Sequence, residues 1–265
     1  MSSLPSKSES AAKADPKADP KADPRAAPRA GIAGDGIAAT RGEWSFAGDT
    51  AANFDAHVSK SVPLYYEGHK LVTDLSDYFV GNDSIVYEIG SSTAALTSKL
   101  AQHHQAKKAR FVGIEIEQDM ADIAARNCAS LPNVEIRCGD ATQWDFEKSD
   151  LIVAYYTVQF VPPKHRQALV DRLYESLNWG GALMLFEKVR APDARFQDMI
   201  SQAYVDFKLD NGYSPDEIVT KARSIRRVLE PFSTQGNLDM LKRAGFVDVM
   251  TVMKYLCFEG FVAIK

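Results

Sequence analysis

The stretch Ile85-Val86-Tyr87-Glu88-Ile89-Gly90-Ser91-Ser92-Thr93-Ala94-Ala95-Leu96 decides the fold. Its apolar first half ends at an acid and a glycine, and a helix-like spacing of apolar residues follows. This order predicts a buried strand, a tight turn and the start of a helix. Glycine lets the chain bend and lets a ligand approach the backbone, while the helix N-terminus offers unpaired N–H groups. The stretch therefore predicts a ligand site at the turn.

Two more predicted strands end in carboxylates. The apolar run 111–115 ends in Glu115, and the run 134–140 ends in Asp140. Ligands bind at the carboxyl ends of parallel strands. Glu115 is therefore expected to accept hydrogen bonds from both hydroxyls of a ribose, and Asp140 is expected to accept one from an adenine amino group. The first loop keeps only one glycine of the dinucleotide fingerprint, which favours a nucleoside without a pyrophosphate. The predicted cofactor is S-adenosyl-L-methionine. The residues predicted to bind it are Glu88, Gly90, Ser91, Glu115, Ile116, Asp140, Ala141 and Tyr155.

Hydrophobic periodicity predicts alternating strands and helices over the rest of the chain. Helices are expected at 52–57 and 62–79, as a cap ahead of the first strand, and again within 192–228, as an insertion. A final pair of strands, 247–258 and 260–264, is expected to be antiparallel. The predicted fold class is α/β, a Rossmann-like, mainly parallel sheet with an antiparallel C-terminal strand and helices on both faces.

The composition is that of an ordinary globular protein. The 265 residues are 45% hydrophobic and 25% charged, with a formal net charge of −4. No apolar run approaches the roughly 18 residues of a membrane span, and no secretory signal is recognisable, so a cytoplasmic protein without a membrane partner is expected. Cys128, Cys138 and Cys257 are not spaced like metal ligands. Reduced thiols and no metal site are therefore expected.

Residues 1–40 are predicted to be a disordered tail, followed by one domain over residues 41–265. A Lys-Ala-Asp-Pro repeat places a proline at every fourth position and offers only alanine for packing. Residues 1–30 carry six Lys or Arg against four acids, a balance of +2, so the rest of the chain carries −4 − 2 = −6. An acidic body argues against a nucleic-acid-binding face.

The chain resembles class I S-adenosyl-L-methionine-dependent methyltransferases and, more narrowly, the carboxy-S-adenosylmethionine synthase family, from about residue 44 to residue 265. The narrower resemblance rests on Ser61-Val62-Pro63, Thr157-Val158-Gln159-Phe160, Glu187-Lys188, Asp206-Phe207-Lys208 and Asn211-Gly212-Tyr213-Ser214. Members of that family move carbon dioxide from prephenate onto the methyl carbon of the cofactor, for modification of a tRNA wobble uridine. The resemblance implies the same fold and cofactor here.

Three departures from the family's pattern fall in the expected pocket. The resemblance implies an arginine that holds the new carboxylate, and the aligned residue is Ala222. Arginine's planar fork suits a carboxylate in a way that alanine cannot imitate. The family's asparagine after the fourth strand is Tyr155, and its Gly-Cys-Ser-Leu-Gly loop differs at residues 90–94. We therefore predict methyl transfer to a small-molecule acceptor. Carboxy-S-adenosylmethionine synthesis, RNA methylation and a non-catalytic binding role remain alternatives.

The sequence does not single out one catalytic residue. The sulfonium methyl is already activated, so positioning is expected to dominate, and a base is needed only if the nucleophile carries a proton. Tyr155, His57 and Tyr213 are the candidate catalytic residues. Tyr213 and Arg223 are the candidate residues for binding a small, anionic acceptor. Nucleic acid is not expected as a partner, and a homodimer is a further possibility.

Overall fold

The computed structural model describes residues 30–265, so the disorder predicted for residues 1–29 lies outside the described residues. The strands and helices, in chain order, are β1 (Gly31–Ile32), β2 (Ala38–Ala39), α1 (Asp49–Ser61), α2 (Tyr65–Ser76), β3 (Ile85–Ile89), α3 (Ala95–His103), β4 (Arg110–Glu115), α4 (Gln118–Asn127), β5 (Val134–Cys138), β6 (Ser149–Tyr155), α5 (Pro163–Ser176), β7 (Leu177–Lys188), α6 (Ala194–Asp210), α7 (Pro215–Ser224), α8 (Thr234–Ala244), β8 (Asp248–Tyr255) and β9 (Phe258–Ile264).

A seven-stranded sheet forms the centre of the protein, in the order β5-β4-β3-β6-β7-β9-β8. Strands β5, β4, β3, β6 and β7 are mutually parallel, and β9 runs antiparallel to both β7 and β8. The helices between the parallel strands provide the crossover connections that such a sheet requires. The predicted fold class is confirmed.

Helices cover both faces of the sheet. Successive side chains of a strand point to opposite faces, so neighbouring residues are buried in different clusters. Val86 of β3 packs in a cluster with side chains of α2 and α3, while its neighbour Tyr87 packs in a second cluster with side chains of α5 and α8. The central strands β6 and β7 are almost continuously apolar for the same reason. Polar groups that can meet a ligand are thus concentrated at the carboxyl edge of the sheet.

The helical cap and the helical insertion lie where the sequence predicts them, as α1 with α2 and as α6 with α7. The predicted tail boundary at residue 40 differs from the structure. Strands β1 and β2 form a hairpin that contacts α7, and the hairpin buries Ala33, Ile37 and Ala39. These apolar side chains pack with Trp44, which is also buried. The folded region therefore includes residues 31–40.

Within residues 30–265, no helix combines the length and the apolar character that crossing a bilayer requires.

Candidate functional site

A cavity lies at the carboxyl edge of β3, β4 and β6, between the sheet, helix α1 and helices α6 and α7. Six of the residues predicted to bind the cofactor line it. They are Glu88, Gly90, Ser91, Glu115, Ile116 and Tyr155.

The turn after β3 depends on Gly90. Its φ angle is +69°, and a Cβ atom there would lie 2.4 Å from Cγ2 of Thr157, so a side chain would clash. Ser92 and Ala94 also have positive φ angles, of 50° and 60°. These angles are uncommon for residues other than glycine. The loop therefore holds a strained, tight path beside the cavity, as backbone that approaches a ligand often does.

Glu115 ends β4 and fixes the loop to the sheet. Its Oε2 accepts a hydrogen bond from the backbone N–H of Ser92 at 2.8 Å, and its Oε1 accepts one from the N–H of Glu117 at 3.0 Å. Burial raises the pKa of the Glu115 carboxyl above its ordinary value, and these N–H groups oppose the rise. Each carboxylate oxygen has a second lone pair. The side chain can thus accept from a ligand's hydroxyls without releasing the loop.

Glu88 lies deeper in the sheet. The Thr97 hydroxyl donates to its Oε2, and burial raises the pKa of the Glu88 carboxyl to about 8. The charge of Glu115 contributes to this rise. In the ligand-free protein at neutral pH, this carboxyl is therefore mainly protonated. A cationic ligand would favour the carboxylate form, because an opposite charge stabilises it.

Asp140 and Ala141 do not line the cavity. Asp140 is exposed, and its Oδ1 accepts a hydrogen bond from the N–H of Thr142 at 2.8 Å. The turn still lies next to the site, since the N–H of Gly139 donates to the carbonyl oxygen of Glu115 at 2.8 Å. The adenine contacts expected of Asp140 and Ala141 remain a prediction.

Tyr155 lines the cavity but does not present a free hydroxyl. Its hydroxyl donates to the carbonyl oxygen of Tyr65 at 2.7 Å, and a Cβ atom on Gly68 would lie 2.1 Å from the Tyr155 Oη. Burial raises the pKa of Tyr155 well above its ordinary value. The geometry therefore makes Tyr155 a residue that joins the cap to the sheet, which does not support the catalytic role considered for it.

The two residues expected to bind an acceptor also lie away from the cavity wall. Arg223 is exposed, whereas Lys221, two residues earlier on α7, lines the cavity. Two helical positions turn a side chain by about 200°, which accounts for the difference. Tyr213 is buried behind the wall, where its hydroxyl donates to Oδ2 of Asp35 at 3.0 Å. The structure does not support acceptor contacts by Arg223.

Three lysines that were not predicted to form one site converge on this cavity: Lys188 at the end of β7, Lys208 on α6 and Lys221 on α7. The Nζ atoms of Lys188 and Lys208 lie 4.3 Å and 4.6 Å from the centre of the Tyr204 ring, and Nζ of Lys221 lies over the Trp44 ring. Burial lowers the pKa of all three amines. The charge of Lys188 contributes to the lowering for Lys208, whose pKa is about 8, and for Lys221.

His57 of α1 also lines the cavity. Its Nδ1 lies 3.1 Å from Oδ2 of Asp35, and its Nε2 is buried without a hydrogen-bond partner among residues 30–265. Burial lowers the pKa of the His57 imidazole to about 4, and the charge of Lys221 acts in the same direction. The ring is therefore neutral at physiological pH.

Similarity to known proteins identifies the family. Residues 86–181 match the methyltransferase domain family. The chain is 36% identical over 224 residues to the carboxy-S-adenosyl-L-methionine synthase of Staphylococcus epidermidis, covering 84% of this chain and 97% of the relative. It is 34% identical to the Campylobacter lari enzyme of the same name, covering 84% and 95%. The chain belongs to the carboxy-S-adenosyl-L-methionine synthase family.

Membership in the carboxy-S-adenosyl-L-methionine synthase family, together with the methyltransferase domain, confirms the predicted enzyme class and the predicted cofactor. Solved structures agree on the fold. Human N-acetylserotonin methyltransferase superposes with a TM-score of 0.58 at 13% identity, covering 82% of this chain and 56% of that chain. A candidate methyltransferase of Methanococcus maripaludis superposes with a TM-score of 0.56 at 19% identity, covering 84% and 95%.

Ala222 stands where the resemblance to carboxy-S-adenosyl-L-methionine synthases implies an arginine. It is exposed and lines a neighbouring cavity, which shares Lys188, Tyr204, Ile225 and Leu229 with the cavity at the carboxyl edge. Alanine at position 222 carries no charge. The lysine side chains that line the carboxyl-edge cavity are Lys188, Lys208 and Lys221.

Proposed function

We propose that the protein transfers the methyl group of S-adenosyl-L-methionine to a small anionic acceptor. The observation that carries this proposal is the convergence of Lys188, Lys208 and Lys221 on the cavity that also contains Glu88 and Glu115. Across the described part of the chain, none of the three amines forms an ion pair with a carboxylate.

Buried ammonium groups without a counter-charge are costly, because burial removes their hydration. A ligand carboxylate or phosphate would supply the missing charge. The protein body is acidic overall, with a balance of −6 over residues 31–265, so three lysines around one cavity are a local exception to its charge. The methionyl carboxylate of the cofactor can pair with one of the three lysines, and an anionic acceptor would pair with the others.

The remaining walls of the cavity favour a flat acceptor. Trp44, Phe46, Phe160, Tyr204 and Phe258 all line it. Aromatic rings pack well against one another in offset or edge-to-face arrangements. A hydroxybenzoate or an aminobenzoate combines a flat ring, a carboxylate and a protonated nucleophile, and is therefore a suitable probe.

For the cofactor, we assign the ribose hydroxyls to Glu115 and the close approach of the backbone to Gly90 and Ser91. Glu88 would lie near the cationic methionyl part, which favours its carboxylate form. Ile116 would pack on the adenine, and Asp140 and Ala141 would contact its edge after a small movement of their exposed turn. These roles rest on the carboxyl-edge position of the residues.

Carboxy-S-adenosyl-L-methionine synthesis is the second candidate, because relatives that bear this name share 34–36% of their residues with the chain. The three lysines could also hold the carboxylates of a carboxyl donor. Against this candidate stands Ala222, which supplies no charge for a carboxylated cofactor.

One isotope experiment separates the two reactions. The protein is incubated with S-adenosyl-L-methionine that carries a trideuterated methyl group, together with hydroxybenzoates and aminobenzoates, or with prephenate. Methyl transfer moves all three deuterium atoms to the acceptor and releases S-adenosylhomocysteine. Carboxyl transfer replaces one deuterium on the methyl carbon and leaves two in a carboxylated cofactor. Mass spectrometry should show the trideuteromethylated acceptor. A carboxylated cofactor with two deuterium atoms, formed only in the prephenate reaction, would support carboxyl transfer instead.

Three further expectations remain proposals. A cytoplasmic location is supported by Cys128, Cys138 and Cys257, which are free thiols. The expectation that nucleic acid is not a partner is supported by the acidic body, which would repel phosphates. A homodimer remains a possibility that a sedimentation experiment would decide.

A further inference from the structure

We infer that His57 is the general base of the reaction and that Asp35 holds its imidazole in the active orientation. This inference rests on the proposed methyl transfer and extends it to the acceptor's chemistry. The acceptor atom would be a hydroxyl oxygen or an amine nitrogen that carries a proton, rather than a carboxylate, which needs no base.

The geometry of the two His57 nitrogens carries the argument. Nδ1 lies 3.1 Å from Oδ2 of Asp35, and the Tyr213 hydroxyl donates to that same oxygen at 3.0 Å. Nε2 is buried and has no partner among residues 30–265, although the ring lines the cavity. A buried polar atom without a partner, on a ring that lines a cavity, is a feature that a ligand group can satisfy.

Asp35 selects the tautomer of the ring. A carboxylate accepts hydrogen bonds, so the neutral imidazole carries its proton on Nδ1 and directs the lone pair of Nε2 away from Asp35. Lys60 donates to the other oxygen of Asp35, which keeps the carboxylate ionised. Trp44 stacks on the His57 ring, with ring centres 5.6 Å apart, and fixes its plane.

Burial and the charges that face His57 keep it neutral before reaction. Burial is the main cause of the lowered pKa, Lys221 and Lys208 also disfavour the imidazolium, and Asp35 favours it. The Tyr213 hydroxyl lies 3.1 Å from Nδ1, and Lys60 lies behind Asp35. An anionic acceptor bound at the lysines would weaken their repulsion and make Nε2 a stronger base.

The reaction balances without another reactant. Nε2 takes the proton as the acceptor oxygen or nitrogen forms a bond to the methyl carbon. The bond between that carbon and sulfur breaks, and its electron pair leaves with the sulfur as a neutral thioether. Asp35 stabilises the resulting imidazolium, which then releases its proton to solvent. His57 would be a catalytic residue, whereas Asp35 and Tyr213 would be positioning residues.

The test combines kinetics with a measurement that needs no acceptor. The variants are His57→Gln and Asp35→Asn, and the matched control is His165→Gln, which changes an exposed histidine on α5. With the most active benzoate probe, His57→Gln should lower kcat by about 10²–10⁴-fold. Its KM for S-adenosyl-L-methionine should change little. The control should match the wild type.

Nitrogen NMR of histidine-labelled protein reports the tautomer directly. We expect His57 to carry its proton on Nδ1 at pH 7, and Asp35→Asn to populate the other tautomer while the fold, checked by circular dichroism, is kept. A proton on Nε2 in the wild type, or a His57→Gln variant with full kcat, would overturn the inference. If the tautomer is as expected but no probe of the set is methylated, the proposed function fails instead.

Discussion

His57 and Asp35 are 22 positions apart in the chain, yet Nδ1 of the histidine lies 3.1 Å from Oδ2 of the aspartate. His57 belongs to helix α1 of the cap, and Asp35 lies in the turn between β1 and β2. Tyr213, just ahead of α7, donates to the same carboxylate oxygen. The hairpin, the cap and the insertion therefore meet at one aspartate, and the amino-terminal hairpin is part of the site.

Truncation should separate the hairpin from the sequence that precedes it. Deleting residues 1–29 should leave the melting temperature nearly unchanged, because the Lys-Ala-Asp-Pro repeat offers little apolar surface. Deleting residues 1–40 should lower it by several degrees, because the burial of Ala33, Ile37 and Ala39 is lost. Scanning calorimetry of both truncations is the measurement. Equal melting temperatures would show that the hairpin contributes no stability.

The sheet and its ligand edge could be predicted because their signals are local. Continuous apolar runs, a glycine after β3 and an acid at the end of β4 are each visible in a short stretch of sequence. Family motifs then supported the cofactor. The hairpin was missed because its strands have two residues each, too few for a periodic pattern, and because they follow a low-complexity repeat.

The acceptor side could not be predicted because it forms by convergence. Lys188, Lys208 and Lys221 come from a strand and two helices, and no short motif contains them. Arg223 was predicted at the acceptor site but lies away from the cavity wall, for a related reason. Which residue of a short helix faces a cavity depends on how the helix docks, and α7 turns Lys221 inward and Arg223 outward. Lys188 and Lys208 both belong to family motifs quoted from the sequence, Glu187-Lys188 and Asp206-Phe207-Lys208. The motifs do not indicate that the two lysines face the same cavity.

Glu115→Gln should weaken the binding of S-adenosylhomocysteine. The amide can still accept one backbone hydrogen bond, but it loses the charge that strengthens hydrogen bonds from ribose hydroxyls. The expected loss is roughly 1.5–3 kcal/mol, or about 10- to 150-fold in Kd. Titration calorimetry measures it, with Glu117→Gln as the control, since the Glu117 side chain does not line the cavity. An unchanged Kd would remove the ribose role from Glu115.

Glu88→Gln should stabilise the ligand-free protein in a pH-dependent way. Burial raises the pKa of Glu88 to about 8, above the ordinary value of 4.5, so the folded state holds a proton that the unfolded state releases. The stability from this group is complete below pH 4.5 and is lost as the pH rises to about 8. Glutamine does not titrate.

The difference in melting temperature between Glu88→Gln and the wild type should therefore grow from pH 5 to pH 8 and then level off. The plateau corresponds to a difference in the free energy of unfolding on the order of a few kcal/mol. The same variant should bind S-adenosyl-L-methionine more weakly, because it lacks the Glu88 carboxylate that would face the positive charge of the cofactor. A difference that does not change with pH would mean that Glu88 is ionised throughout.

Binding of an anionic probe should be accompanied by proton uptake. Burial and the charge of Lys188 lower the pKa of Lys208 to about 8, and the pKa of Lys221 is lowered as well. A bound anion raises both pKa values, so at pH 8–9 the lysines take up protons, and affinity should fall as the pH rises through this range. Titration calorimetry of 4-hydroxybenzoate into protein saturated with S-adenosylhomocysteine measures the uptake, in two non-phosphate buffers of different ionisation enthalpy.

Lys208→Gln should reduce the proton uptake and weaken binding of the probe. Lys70→Gln, which changes an exposed lysine paired with Asp74, should do neither. Binding without proton uptake at pH 8.5 would mean that the anion does not contact these amines.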